Sequence, residues 1–141
     1  MPYREKVAWL YLLSILLVFI PYFTWTHLHP PGPEIPNFKQ MALYAVTSLS
    51  WAAILGIGHL LLRRSSQGEA KLPEDERYIS IARKARGYAY GVLLTGMVVV
   101  GGVMPFTHGG WEIANTAFFT IFLAECVFYA IVIRAYRRQN G

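Results

Sequence analysis

The sequence predicts an all-α, polytopic membrane protein: four transmembrane helices arranged as two tandem hairpins, with both termini cytoplasmic. Three observations carry that prediction. The 141 residues are 55% hydrophobic and only 15% charged, with a mean hydropathy of +0.35, against about 25% charged residues in an ordinary soluble domain. The charges are gathered into clusters that leave four long uncharged windows, 7–33, 40–62, 87–111 and 113–133, the last interrupted by Glu125 alone. Twelve of the thirteen Lys and Arg residues then fall on one side of the spans these windows define. The same composition excludes intrinsic disorder, and a single cysteine, Cys126, excludes a disulfide scaffold.

The chain reads as one transmembrane domain over 1–141, with helices at about 7–25, 39–62, 84–106 and 112–135. Each holds roughly the 20 residues that cross about 30 Å of hydrocarbon at 1.5 Å per residue. Helix is the form lipid demands, because the backbone finds no outside hydrogen-bond partner there. The alternating polarity of a barrel strand is missing. The first span is too long for a signal-peptide core, and Tyr22-Phe23-Thr24-Trp25-Thr26-His27 after it offers no small-x-small cleavage pattern. It is therefore expected to stay as a helix. The second span carries Ser48, Ala52 and Gly56, the third Gly87, Gly91 and Thr95, and the fourth Thr116, Thr120 and Ala124. Spacing by four puts each set on one face, and small residues let helices approach closely in lipid. Between the hairpins lies a cytoplasmic loop, 63–83. Residues 65–74 have linker composition, and Pro73 followed by Glu74, Asp75 and Glu76 reads as a helix start. Tyr78, Ile81, Ala82 and Ala85 then recur opposite Arg77, Arg83, Lys84 and Arg86, which predicts an interfacial amphipathic turn or two leading into the third span.

Orientation follows from the basic residues. The N-terminus, middle loop and C-terminal tail hold all of them except Lys39. The positive-inside rule puts those three segments in the cytoplasm and the chain in the cytoplasmic (inner) membrane. The net charge of +5 is this asymmetry and requires no nucleic-acid partner. Trp25, Phe38, Phe106 and Trp111 mark the outer interface, and Tyr3, Trp9, Tyr88 and Tyr136 the inner one.

The two outer turns share a pattern. Pro21, an aromatic, Thr26-His27 and then Gly32-Pro33-Glu34-Ile35-Pro36-Asn37 are echoed by Pro105-Phe106, Thr107-His108 and Gly110-Trp111-Glu112-Ile113-Ala114-Asn115. Both hairpins start on the same side, so the echo reads as a parallel duplication of a two-helix unit. The plain role of the shared residues is punctuation: Pro21 and Pro105 end helices, and Glu34 and Glu112 favour helix N-termini. The sharper alternative gathers His27, His29, His108, Glu34 and Glu112 on the outer face as a metal site, since imidazole with carboxylate suits Zn²⁺ and similar ions.

Glu125 lies about 13 Å from Arg134 along the last span, near the bilayer middle. A charge there costs about 2.5–3.5 kcal/mol on insertion scales, so the side chain should face the bundle and find a donor. Ser14 and Thr95 sit at nearly its depth, and His59 about 7 Å nearer the cytoplasm. A structural clamp with one of these three is the leading expectation. A proton- or cation-coupled site is the alternative, weakened because small four-span exporters carry their intramembrane Glu in the first span. No haem is expected: His59 would need a second axial histidine, and His27, His29 and His108 are at the opposite end. Cys126 reads as a small packing residue.

The segment Asp75-Glu76-Arg77, then Ile81 and Lys84-Ala85, leads into an Ala- and Tyr-containing span, and Glu125 and Ala135-Tyr136-Arg137-Arg138 follow. This resembles an uncharacterised family of small prokaryotic predicted membrane proteins with a DER-type segment before the second hairpin. The likeness covers roughly 75–138; it implies the hairpin architecture and carries no activity. No catalytic motif is present: there is no G-x-S-x-G, no H-E-x-x-H and no Walker loop. The leading expectation is therefore a non-enzymatic membrane component without a resident cofactor, an accessory subunit or a small signalling or stress-response protein. It would be embedded in the lipid bilayer, in a homodimer or a larger membrane complex. The alternatives are a transporter using Glu125 and a metal binder at the outer face.

Overall fold

The computed structural model describes residues 2–33, 35–66, 68 and 76–140. Four helices account for nearly all of them: α1 Tyr3–Leu28, α2 Phe38–Ser65, α3 Glu76–Gly102 and α4 Gly110–Asn140, with a single 3₁₀ turn, Met104–Phe106, after α3. All four are long and apolar enough to cross a membrane, and no strand occurs among the described residues. α2 and α4 extend beyond their uncharged windows at both ends, whereas α1 and α3 extend beyond theirs only at the N-terminal, charged end and stop inside them at Leu28 and Gly102.

α1 packs against both α2 and α4, and α4 packs against α3. The spatial order is α2–α1–α4–α3, with α1 and α4 central and α2 and α3 flanking. Both termini lie at one end of the molecule. There the Arg4 guanidinium sits 4.3 Å from the Tyr78 ring centroid and that of Arg137 5.1 Å from Trp9. Beside them Ala8, Ala85, Val132 and Ile133 form the apolar core of this end. The opposite, hairpin end carries the α1–α2 and α3–α4 connections.

In lipid, apolar burial alone drives little helix association, so close contact and ring packing must hold the helices together. The α1–α4 seam is built from rings: Phe19, Phe23, Phe119 and Phe122 interlock at centroid separations of 5.1–6.2 Å. Pairs of this kind contribute about 0.5–1.5 kcal/mol each. Closer to the termini, Tyr11 stacks on Tyr129 at 4.7 Å. On the other side of α1, the Trp51 indole Nε1 donates to Ser14 Oγ at 3.2 Å, and Ser14 itself donates to the Tyr11 carbonyl.

Three expectations are corrected. Pro21 does not end the first helix: α1 runs through it to Leu28, while Pro105 sits in the 3₁₀ turn beyond α3. Matching prolines of the two hairpins thus occupy different local structures. Membrane helices tolerate an interior proline; the bond Pro21 forgoes is the one to the Leu17 carbonyl four residues earlier. Next, the third helix begins at Glu76 rather than at about 84, so the amphipathic turns expected to lead into the span are its own first turns; Pro73, Glu74 and Asp75 of the expected helix start lie outside the described residues. Third, the small-residue faces are only partly in contact. A Cβ on Gly56, Gly87 or Gly91 would meet no described atom within 4 Å. The tight approaches are elsewhere: Gly96 lies against Thr120, where a Cβ would stand 2.7 Å from Oγ1, and Gly58 lies against Leu10, 2.6 Å from Cδ1.

Candidate functional site

Glu125 is half-buried on the face of α4 that also presents Phe118, Phe122 and Tyr129. These residues are spaced three or four apart and so share one face. That face meets α1 in antiparallel register: Phe122 packs on Phe19 and Tyr129 on Tyr11, which sets Glu125 opposite Ile15. Among the described residues no hydrogen-bond donor reaches the carboxylate.

The three expected partners make other contacts. Ser14 bonds Trp51 and its own helix. Thr95 lies on an exposed face of α3 and donates to the Gly91 carbonyl at 2.9 Å. His59 meets the edge of Tyr11 at 6.1 Å, with the Tyr11–Tyr129 stack between it and α4. What the structure brings together is thus a row across three helices, His59, Tyr11, Tyr129 and Glu125, rather than a clamp around the carboxylate. Tyr129 was legible as a neighbour, standing one helical turn from Glu125. Tyr11 had no such signal.

At the hairpin end the histidines are dispersed and exposed. His27 is in the last turn of α1. His29 stacks on Trp25 at 4.1 Å, with Nδ1 3.3 Å from the Trp25 carbonyl oxygen. His108 Nδ1 is 2.6 Å from Thr107 Oγ1. Glu112 Oε2 accepts from the Gly109 backbone N–H at 3.0 Å, the helix-start role its position implies. Glu34 lies outside the described residues. No group of three or more His, Cys, Asp or Glu comes together among the described residues.

The larger feature of this end is a cavity of about 750 Å³ between the first connection and the start of α4, walled by Asn37, Gln40, Tyr44, Trp111, Glu112 and Phe118. Its inner wall is aromatic, with Tyr44 stacked on Phe118 at 4.1 Å and ring planes 12° apart. The Asn37 side chain accepts from the Gln40 N–H at 3.1 Å and caps α2. Sequence reasoning placed Trp111 at the interface and Glu112 at a helix start, but missed Gln40, Tyr44 and Phe118. They lie on two helices far apart in sequence, and only the fold joins them.

A four-span, all-helical chain with a proline-rich connection and a row of intramembrane aromatics defines an integral membrane protein. The chain belongs to the predicted membrane protein family DUF2178, whose model matches residues 5–140. No curated protein and no solved structure matches it.

Proposed function

We propose that this protein is a non-enzymatic subunit of the cytoplasmic membrane, with both termini inside, that works by lateral assembly through α2. The observation that carries the reading is how little of α2 its own chain covers. Apart from Gln40 near its start, no described residue of α2 is buried. Ala45, Leu49, Ala52 and Gly56 lie along one exposed face, and a Cβ on Gly56 would stand in open space. A face of small residues is what a second membrane helix needs for close approach. The partner is a second copy of the chain or another membrane polypeptide. The concentration of Lys and Arg in the termini and the α2–α3 connection supports the inward orientation.

Native mass spectrometry of protein extracted gently from its own membrane tests this. The expected result is a dimer or a complex with added polypeptide mass, lost in Gly56→Leu while that variant's melting temperature stays at the wild-type value. A bare wild-type monomer, or a complex indifferent to Gly56→Leu, would overturn it.

A further inference from the structure

Glu125 is the one charged residue inside the four windows that cross the bilayer. It stands midway along α4, about 22 Å from either end. Its carboxylate is open to the surroundings. Other unpartnered polar atoms, such as Trp9 Nε1, Tyr22 Oη and Gln40 Oε1, are enclosed by the protein, and the Glu125 oxygens are not among them. The side chain is only half-buried, and Ile121, one turn away on the same flank of α4, is exposed. A group arriving through the bilayer can reach the carboxylate.

The chain offers no counter-charge at this depth. Arg134, the nearest Lys or Arg on α4, is about 13 Å away along the helix. The other spans carry their Lys and Arg residues only outside the uncharged windows. Thr95, exposed at similar depth, gives its hydroxyl to the Gly91 carbonyl, and His59 lies across the Tyr11–Tyr129 stack. A second copy inserted in the same orientation brings the same residues to the same depths, so it supplies no cation either. The complement belongs to a different polypeptide.

The chemistry of that complement follows from the solvent. An ionised carboxylate is costly in mid-bilayer, and so is a lone Lys or Arg. Brought together they form a neutral pair, joined by charge-assisted N–H···O bonds in a medium of low dielectric. Each relieves the cost of the other. The open flank of a long helix suits a second helix lying along it.

We propose that Glu125 is the docking point for a transmembrane helix of another membrane polypeptide, one that carries a Lys or Arg at mid-bilayer depth. The contact is on α4, whereas the assembly face is on α2; these are separate surfaces, and either can fail alone.

The test uses synthetic polyleucine helices of about 21 residues as probes, one with a single central Lys and one with Leu there. Each carries an acceptor dye and is titrated into vesicles of phosphatidylcholine holding the full-length protein, labelled with a donor dye at its C-terminus. Energy transfer should show saturable binding of the Lys helix, about tenfold tighter than that of the Leu helix. Glu125→Leu should bring the two within about twofold, with helix content by circular dichroism unchanged. A Lys moved two turns from the centre should bind about fivefold more weakly than the central one. Gly56→Leu should leave the preference intact. Equal affinities of the two probes for the wild type, or a preference that survives Glu125→Leu, would overturn the proposal. Equal binding of the displaced and central Lys would overturn the assignment of depth. Loss of the preference in Gly56→Leu would put the probe on α2 and overturn this site while leaving the α2 reading in place. Self-association of the wild type that disappears in Glu125→Leu would assign the flank to a second copy and overturn the heterologous partner.

Discussion

The seam between α1 and α4 and the outer face of α2 both belong to apolar, membrane-spanning helices and behave differently. Both helices of the hairpin α1–α2 are long and apolar enough to cross a membrane. Yet α1 buries Ala8, Ser14, Ile15, Tyr22 and Thr26, whereas α2 buries only Gln40. Hydropathy commits a segment to the bilayer and says little about what it touches there, because lipid is as apolar as leucine. Contact is decided by shape. Rings interlock at the α1–α4 seam, and small residues on α2 stand open.

Breaking the seam should give the largest effect. Phe122 is 8% exposed and touches the rings of Phe19, Phe23 and Phe119; Phe122→Ala should cost about 3 kcal/mol of stability, measured by unfolding in mixed detergent micelles. A loss below about 1 kcal/mol would mean the rings do not hold the helices together. The α3–α4 contact gives the next test. Gly96→Leu forces a side chain into Thr120 and should destabilise by about 2 kcal/mol, while Gly91→Leu, with open space beside it, should stay within about 0.5 kcal/mol of wild type. Similar losses for both would erase the distinction between packed and open faces.

Smaller effects sharpen the picture on α1. Ser14→Ala removes the acceptor of the Trp51 indole N–H and should cost about 1 kcal/mol. Glu125→Leu removes no hydrogen bond, so its melting temperature should equal or exceed that of the wild type. A fall as large as that of Ser14→Ala would show that the carboxylate has a donor after all.

Much of the architecture was legible because it rests on sums over windows. Four spans follow from charge-free length, and their grouping into two hairpins from which connections carry the Lys and Arg residues. The faces were harder for a geometric reason: one residue along a helix is about 100° around it. Thr95 was expected on the close-packed face of the third span, and Gly96, its neighbour, makes the tight contact with Thr120. Gly56 was expected to pack, and Gly58, two residues on, lies against Leu10. Spacing by four identifies a face without saying which of several such faces has a neighbour. Pro21 shows the same limit for local rules, since a proline that would end a helix in water stays inside one in a membrane-spanning segment. At the candidate sites, Glu125 stood out as an isolated charge. Its company, Tyr11 and Ile15, belongs to another helix and depends on the antiparallel register. The hairpin-end cavity could not be read at all, because α2 and the start of α4 meet there only once the chain is folded.

The most direct measurement is cysteine cross-linking in native membranes, in a Cys126→Ser background, with a single cysteine at Gly56 or at Ala8. Gly56→Cys on the open face of α2 should cross-link to another membrane polypeptide, and Ala8→Cys, in the buried core at the termini end, should not. Cross-linking from both positions, or from Ala8→Cys alone, would contradict the division of this molecule into a closed seam and an open face.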